Sequence, residues 1–387
     1  MKYRAFGKKN WKTSVLGFGC MRFPVVDGDA AKIDEHLAEK MLIEGIDQGI
    51  NYIDTAYPYH SGQSEPFVGK VLSKGYRQKV HLATKMPTWL TKEQADFDKY
   101  LDEQLARLQT DHLDLYLLHA LNRQRWEGLK GIGVREWMHE IVKSGKVGAI
   151  GFSFHDDYPA FEDILMEYED WDFCQIQYNY MDIEEQAGMR GLHLAAARGL
   201  AVVVMEPLLG GKLSTPPVTV QSLLKAGNPD RSATDWALQW LWSQPEVNVV
   251  LSGMSAIQHV EENIRSANKA AVASFLVAEQ EVIRQARETY RTLSPIPCTK
   301  CNYCLPCPNG VLIPNNFDLF NKANMLDNWD HARWAYRQLA DAEKAENCIT
   351  CRECEQLCPQ HIPISDWMPY IHEVLANDAV YDGRRLP

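Results

Sequence analysis

Asp54, Tyr59, Lys85 and His119 lie within, at or just beyond the ends of short apolar runs, and their side-chain types make a proton-transfer set. Hydride added to a carbonyl carbon leaves an alkoxide that needs a proton, and free tyrosine, with a pKa of ~10, gives one up poorly. A neighbouring ammonium favours phenolate and brings that pKa down, while a carboxylate beside the ammonium keeps it charged where burial would neutralise it. Asp54, Lys85 and Tyr59 supply those groups, and His119 can hydrogen-bond a carbonyl oxygen to hold it at transfer distance. Singly, Asp54 also reads as a turn cap, Tyr59 as loop surface and His119 as a core histidine. Lys85 at the rim of a closed sheet would carry a desolvation cost without a partner, so pairing with Asp54 is expected.

The second chemistry lies in the cysteines, two of which precede residue 200 while eight follow residue 297. Cys298, Cys301, Cys304 and Cys307 form C-x2-C-x2-C-x2-C before Pro308. Cys348, Cys351, Cys354 and Cys358 form C-x2-C-x2-C-x3-C before Pro359, the run of bacterial ferredoxins. Similar text follows each, PNGVLIP and PQHIPI, so the tail is an internal duplication and implies two iron–sulfur clusters. Zinc also takes four thiolates, but its sites usually pair two C-x2-C knuckles. Cys20 and Cys174 lie on strand runs and read as core residues.

Eight apolar runs must position the first set: Val15 to Cys20, Tyr52 to Ala56, Val80 to Lys85, Leu113 to His119, Val147 to Ser153, Phe173 to Asn179, Ala201 to Pro207 and Asn248 to Gly253. Helical periodicity appears between them, as in Phe97, Leu101, Leu105 and Leu108, and in Trp236, Ala237, Trp240 and Leu241. Strands alternating with helices predict an α/β fold, a (β/α)8 TIM barrel, whose chemistry gathers where strands end. A doubly wound open sheet is the rival, but Gly17-Phe18-Gly19-Cys20-Met21-Arg22 lacks the third glycine of a dinucleotide-binding turn. Leu293-Ser294-Pro295-Ile296-Pro297 marks a break, which predicts a barrel over 1–292 and a small, mainly helical ferredoxin-like iron–sulfur domain over 293–387.

IDTAYPY, ATK and YLLH, in that order, resemble the signatures of the aldo-keto reductase family over roughly residues 1 to 290. The resemblance implies an NAD(P)H-dependent oxidoreductase acting on an aldehyde, ketone or alcohol, with Asp54, Tyr59, Lys85 and His119 as catalytic tetrad and Tyr59 as general acid or base. It places Ser153, Gln175 and Met205 at the nicotinamide. Phe154 stands where the family has Asn, and Met205 where it has a stacking ring. Leu208, Gly210, Gly211 and Lys212 resemble the pyrophosphate loop, and Gly253, Ser255, His259, Glu262 and Asn263 the adenosine segment. The cation that often reads a 2′-phosphate is absent, which favours NADH, while nearby Arg265 leaves NADPH open. Arg22, Phe23, Tyr57 and Trp89 are expected at the substrate mouth. In the tail the resemblance implies crossed ligation of two 4Fe-4S clusters, one by Cys298, Cys301, Cys304 and Cys358, the other by Cys307, Cys348, Cys351 and Cys354.

A net charge of −11 argues against a nucleic-acid partner, and neither a signal peptide nor a run of ~20 apolar residues is present, so no membrane and a cytoplasmic location are expected. Hydride transfer needs no one-electron carrier, so the clusters leave other readings open. One is a redox sensor that keeps the barrel as a nicotinamide-binding module, in the manner of potassium-channel β-subunits. Another is a reductase whose barrel feeds electrons through the clusters to a partner protein.

Overall fold

A computed structural model describes residues 1–298, 300, 302–358 and 360–384. The antiparallel pair β1 (Tyr3–Ala5) and β2 (Lys12–Ser14) precedes eight parallel strands. These are β3 (Leu16–Gly19), β4 (Tyr52–Asp54), β5 (His81–Met86), β6 (Leu115–Leu121), β7 (Ile150–Phe154), β8 (Phe173–Gln177), β9 (Ala201–Met205) and β10 (Val247–Ser252). Each pairs with the next, and β10 pairs with both β9 and β3, which closes the barrel and excludes the open sheet.

The strands alternate as a period of two requires. Tyr52, Ala83, Leu115, Leu117, Ala149, Phe173, Ala201, Val203, Val249 and Leu251 fill the inside. Their neighbours Ile53, Leu82, Tyr116, Leu118, Ile150, Cys174, Val202 and Val204 face the surrounding helices. The helix Ala95–Arg107 buries Phe97, Leu101 and Leu105, and the helix Ala233–Trp242 buries Trp236, Ala237 and Leu241. Gly151 is needed inside the crowded barrel, because a Cβ there would lie 2.6 Å from both the Phe173 ring and its carbonyl oxygen. The hairpin closes the end at which the strands begin: Phe6 is fully buried, stacks on Trp11 at 4.7 Å and reaches the Phe173 and Tyr52 rings. The opposite end, where the strands finish, is left for chemistry.

Packing divides the chain into Met1–Gly210 with Thr234–Leu276, and Gly211–Ala233 with Val277–Pro387, a different division from the sequence boundary at 292/293. In the second unit the helices Val218–Gly227 and Val277–Thr292 pack together. The helices Ile313–Leu326, Trp329–Gln338 and Ile364–Leu375 enclose a separate apolar core containing Phe320, Tyr336 and Trp367. The proline-flanked break is anchored: Ile296 is buried, donates its N–H to Asn321 Oδ1 at 3.0 Å and accepts from Asn321 Nδ2 at 2.8 Å. No helix among the described residues is long and apolar enough to cross a membrane.

Candidate active site and cysteine cavities

The residues singled out in the barrel continue its inward rows by one step. Tyr52 leads to Asp54, Ala83 to Lys85, Leu117 to His119, Phe173 to Gln175 and Val203 to Met205, so the pleat that fills the interior also aims these side chains at its open end. Lys85 is followed by one more strand residue and His119 by two, so neither closes its strand as the apolar runs predict.

Lys85 Nζ is 2.5 Å from Asp54 Oδ1, with both side chains buried, and it also donates to Thr55 O at 2.8 Å and Tyr59 Oη at 3.3 Å. All three donor positions of the ammonium are therefore used. Burial drives the Lys85 pKa down, but Asp54 and Tyr59 outweigh it and leave the group raised and charged.

The expected fall in the tyrosine pKa is corrected here. Burial pushes the Tyr59 phenol above its ordinary value; Lys85 pulls it back without reversing the sign, and Asp54 adds to the rise. The physical reason is that phenolate loses more hydration in the pocket than one shared ammonium restores. Tyr59 thus keeps its proton, and because its oxygen accepts from Lys85, its O–H is free to donate. His119 is held well below its ordinary value, first by burial and then by Lys85, so its imidazole is neutral. Its ring meets Tyr59 edge-on at 6.0 Å and Trp89 at 5.2 Å.

The local chain fixes Tyr59. His60 and Ser61, which follow it, both adopt left-handed backbone, and His60 Nε2 accepts the Phe23 N–H at 3.2 Å while its Nδ1 pairs with Ala30 O at 3.0 Å. Beneath Lys85 lies a network that the sequence reading missed. Glu65 is fully buried and accepts from Thr84 Oγ1 at 2.6 Å, Gln104 Nε2 at 2.5 Å and Arg107 Nη1 at 3.2 Å. Gln104 also donates to the Lys85 carbonyl at 3.0 Å and accepts from Tyr116 at 2.7 Å. The available signal was Glu65 on the same helical face as Val68 and Leu72, a charge where the register calls for an apolar residue.

At the open end, Gln175 Oε1, His119 Nδ1 and Asp54 Oδ2 are buried without a hydrogen-bond partner, so the pocket holds acceptor capacity that an amide-bearing ring could satisfy. The residues present fit a nicotinamide. Ser153 Oγ accepts the Ala120 N–H at 2.7 Å. Phe154 points away from this end and packs on Phe161 at 5.1 Å. Met205, half-buried, ends β9, and Leu208 is half-buried beyond it.

Other expected contacts are more scattered. Gly210, at φ +63°, donates to Glu206 Oε2 at 2.6 Å, and Arg22 lies 3.8 Å from the same carboxylate and across Gly253. Gly211 and Lys212 belong to the second unit, where Lys212 Nζ donates to Asp327 O at 2.7 Å. Asn263 is buried and donates to Ser252 Oγ at 2.9 Å. Ser255 N–H faces His259 Nδ1 at 3.4 Å, and Glu262 lies 3.9 Å from Arg265 on the surface. At the mouth, Phe23 is buried and Tyr57 donates to Glu103 at 3.3 Å under the Arg107 guanidinium.

The cysteines of the second unit line two cavities. Cys307, Cys348, Cys351 and Cys354 share one with Val311, Ile313 and Ser365; Cys298, Cys304 and Cys358 share the other with Phe317, Ile362 and Ile364. Cys301 lies outside the described residues. The cysteines that are described form no disulfide, and no three His, Cys, Asp or Glu among the described residues form a group that could hold a metal ion. Thiols spread around a mainly apolar cavity suit a cluster, which spaces its ligands apart.

Comparison with known proteins agrees in both regions. The family model described as "Aldo/keto reductase family" matches residues 15–278, and that of the "4Fe-4S dicluster domain" matches residues 297–362. The chain is 25% identical to an NADH-specific methylglyoxal reductase of Escherichia coli, over 69% of this chain and 94% of the relative. It is 28% identical to an L-galactose dehydrogenase of Arabidopsis thaliana, over 68% and 87%. The holo form of an aldo-keto reductase from Bacillus halodurans superposes with a TM-score of 0.63 at 29% identity, covering 74% of this chain and 96% of that one.

Proposed function

The chain belongs to the aldo/keto reductase family, and from that premise we propose that its barrel reduces an aldehyde or ketone, or oxidises the alcohol, with Tyr59 exchanging the proton. The observation that carries this reading is the Lys85 ammonium held between the Asp54 carboxylate and the Tyr59 oxygen in a buried pocket. NAD(P)H, when bound, supplies the hydride. Gln175, Ser153 and Met205 would hold its nicotinamide, with Gly210, Gly253, Ser255, His259 and Glu262 along the rest of the cofactor.

The residues then divide the work. Neutral His119 orients the substrate oxygen through a hydrogen bond, which an imidazolium would also offer but at the cost of a buried charge beside Lys85. Tyr59 presents its O–H to the same oxygen and releases the proton as negative charge develops there. Lys85 stabilises the resulting phenolate at 3.3 Å, and Asp54 keeps Lys85 charged throughout. In oxidation the same phenolate accepts the alcohol proton. Lys85 thus lowers the barrier to proton release while burial keeps the resting phenol protonated.

Substrates of this reading are small carbonyl compounds or their alcohols. The cysteines of residues 293–387 are assigned as ligands of two 4Fe-4S clusters in the crossed sets, with an electron-transfer partner as one use for them. Turnover of NADH and NADPH with a panel of aldehydes and ketones, compared between wild type and Tyr59→Phe, tests the barrel assignment. Loss of turnover with cofactor binding kept is expected, and an undiminished kcat in the variant would overturn it.

A further inference from the structure

The two cysteine cavities are built from equivalent positions of the duplicated tail. Val311 and Ile313 in one correspond to Ile362 and Ile364 in the other, and Gly310 and His361, three residues after the fourth cysteine of each run, share left-handed backbone. The duplication breaks at polar positions. Arg352 stands where the other copy has Asn302, Glu355 where it has Leu305, and Ser365 where it has Pro314.

Two of these differences are coupled. Glu355 Oε1 accepts from the Ser365 N–H at 2.8 Å and its Oγ at 2.5 Å, so a cavity-lining residue fixes the carboxylate. Arg352 lines the same cavity, but it is exposed and lies 3.8 Å from Asp366, so solvent and that carboxylate offset its charge. Glu355 directly follows Cys354 in the chain, and the Ser365 it accepts from lines the cavity together with Cys348, Cys351 and Cys354.

We propose that Glu355 makes the two clusters unequal, the one held by Cys307, Cys348, Cys351 and Cys354 being reduced at the lower potential, so that a first electron rests on the other. The inference depends on the reading of the cysteines as cluster ligands. In the step concerned one electron is added to a cluster, no bond breaks and no proton moves. The added charge is repelled by a fixed, half-buried carboxylate on one side and meets Leu305 at the equivalent position on the other.

The test uses full-length protein purified without oxygen, with iron and sulfide assayed and dithionite reduction followed by electron paramagnetic resonance. Two separate one-electron steps are expected. Glu355→Gln, which keeps an acceptor for Ser365, should raise only the lower step by about tenfold in the reduction equilibrium, ~59 mV. Glu355→Asp should leave it low, and Leu305→Glu should lower only the upper step. Coincident steps in wild type, or a Glu355→Gln protein with both steps unmoved or with the upper one moved, would overturn the proposal while leaving the cluster reading intact. Absence of iron and sulfide would sink the cluster reading and this inference with it. If Glu355→Gln fails to load clusters, the wild-type separation and Leu305→Glu decide.

Discussion

The barrel mouth and the cysteine tail solve the same problem, holding reactive groups in place, in opposite ways. In the barrel, charges from separate strands are buried against each other, and a network around Glu65 braces them from behind. In the tail, closely spaced cysteines surround two cavities whose remaining walls are mainly apolar. The difference teaches that pairing of buried charges supports the first site, whereas the second is expected to add the binding of the group it is proposed to hold to the packing of its own apolar core.

Removing iron under chelating, oxygen-free conditions should break that comparison most strongly. Metal-binding free energy in a small metal-held domain is folding free energy, on the order of 10 kcal/mol for structural sites. A low-temperature unfolding transition should appear in calorimetry while the barrel transition stays in place. A single unchanged transition would show that the tail stands on its helical core alone.

Tyr59→Phe removes the proton donor and leaves the ring. Carbonyl reduction should fall by about 10²- to 10⁴-fold in kcat, the usual weight of a general acid, with nicotinamide affinity retained in fluorescence titration. Lys85→Met leaves Asp54 as a buried charge without its partner and should destabilise the barrel by ~3–5 kcal/mol in urea unfolding. The double variant Asp54→Asn with Lys85→Met should recover much of that loss. If the double variant is no more stable than the single one, the pair is not what holds this end together.

A smaller effect follows from His119. Its pKa in the fold lies below the unfolded value of ~6.5, so the unfolded chain binds the extra proton first. The stability associated with the neutral ring is present above ~6.5 and is lost as pH falls below it, by up to ~1.4 kcal/mol per pH unit. His119→Gln should flatten that part of the stability curve, and an identical slope in the variant would count against a buried neutral histidine.

Much of this was legible along the chain. The eight apolar runs each overlap a barrel strand, because β-branched and aliphatic residues between helical segments mark strands covered on both faces. The cysteine spacing named its chemistry locally. The buried carboxylate Glu65, the amide of Gln104 and the His60 anchor were not read, since their partners are between 12 and 42 residues away and only folding brings them together. The direction of the Tyr59 shift was misjudged for the same kind of reason, because desolvation depends on everything packed around a group.

Residue type and spacing determined the donor set, the strand count and the duplicated tail, since these are properties of covalent order. The three-dimensional arrangement alone decided that Asp54 and Tyr59 share one ammonium, that Phe154 faces the helices, and that a cysteine from each run enters the cavity lined by the other. Distances, burial and electric fields are set by neighbours in space, and the order of residues does not contain them directly.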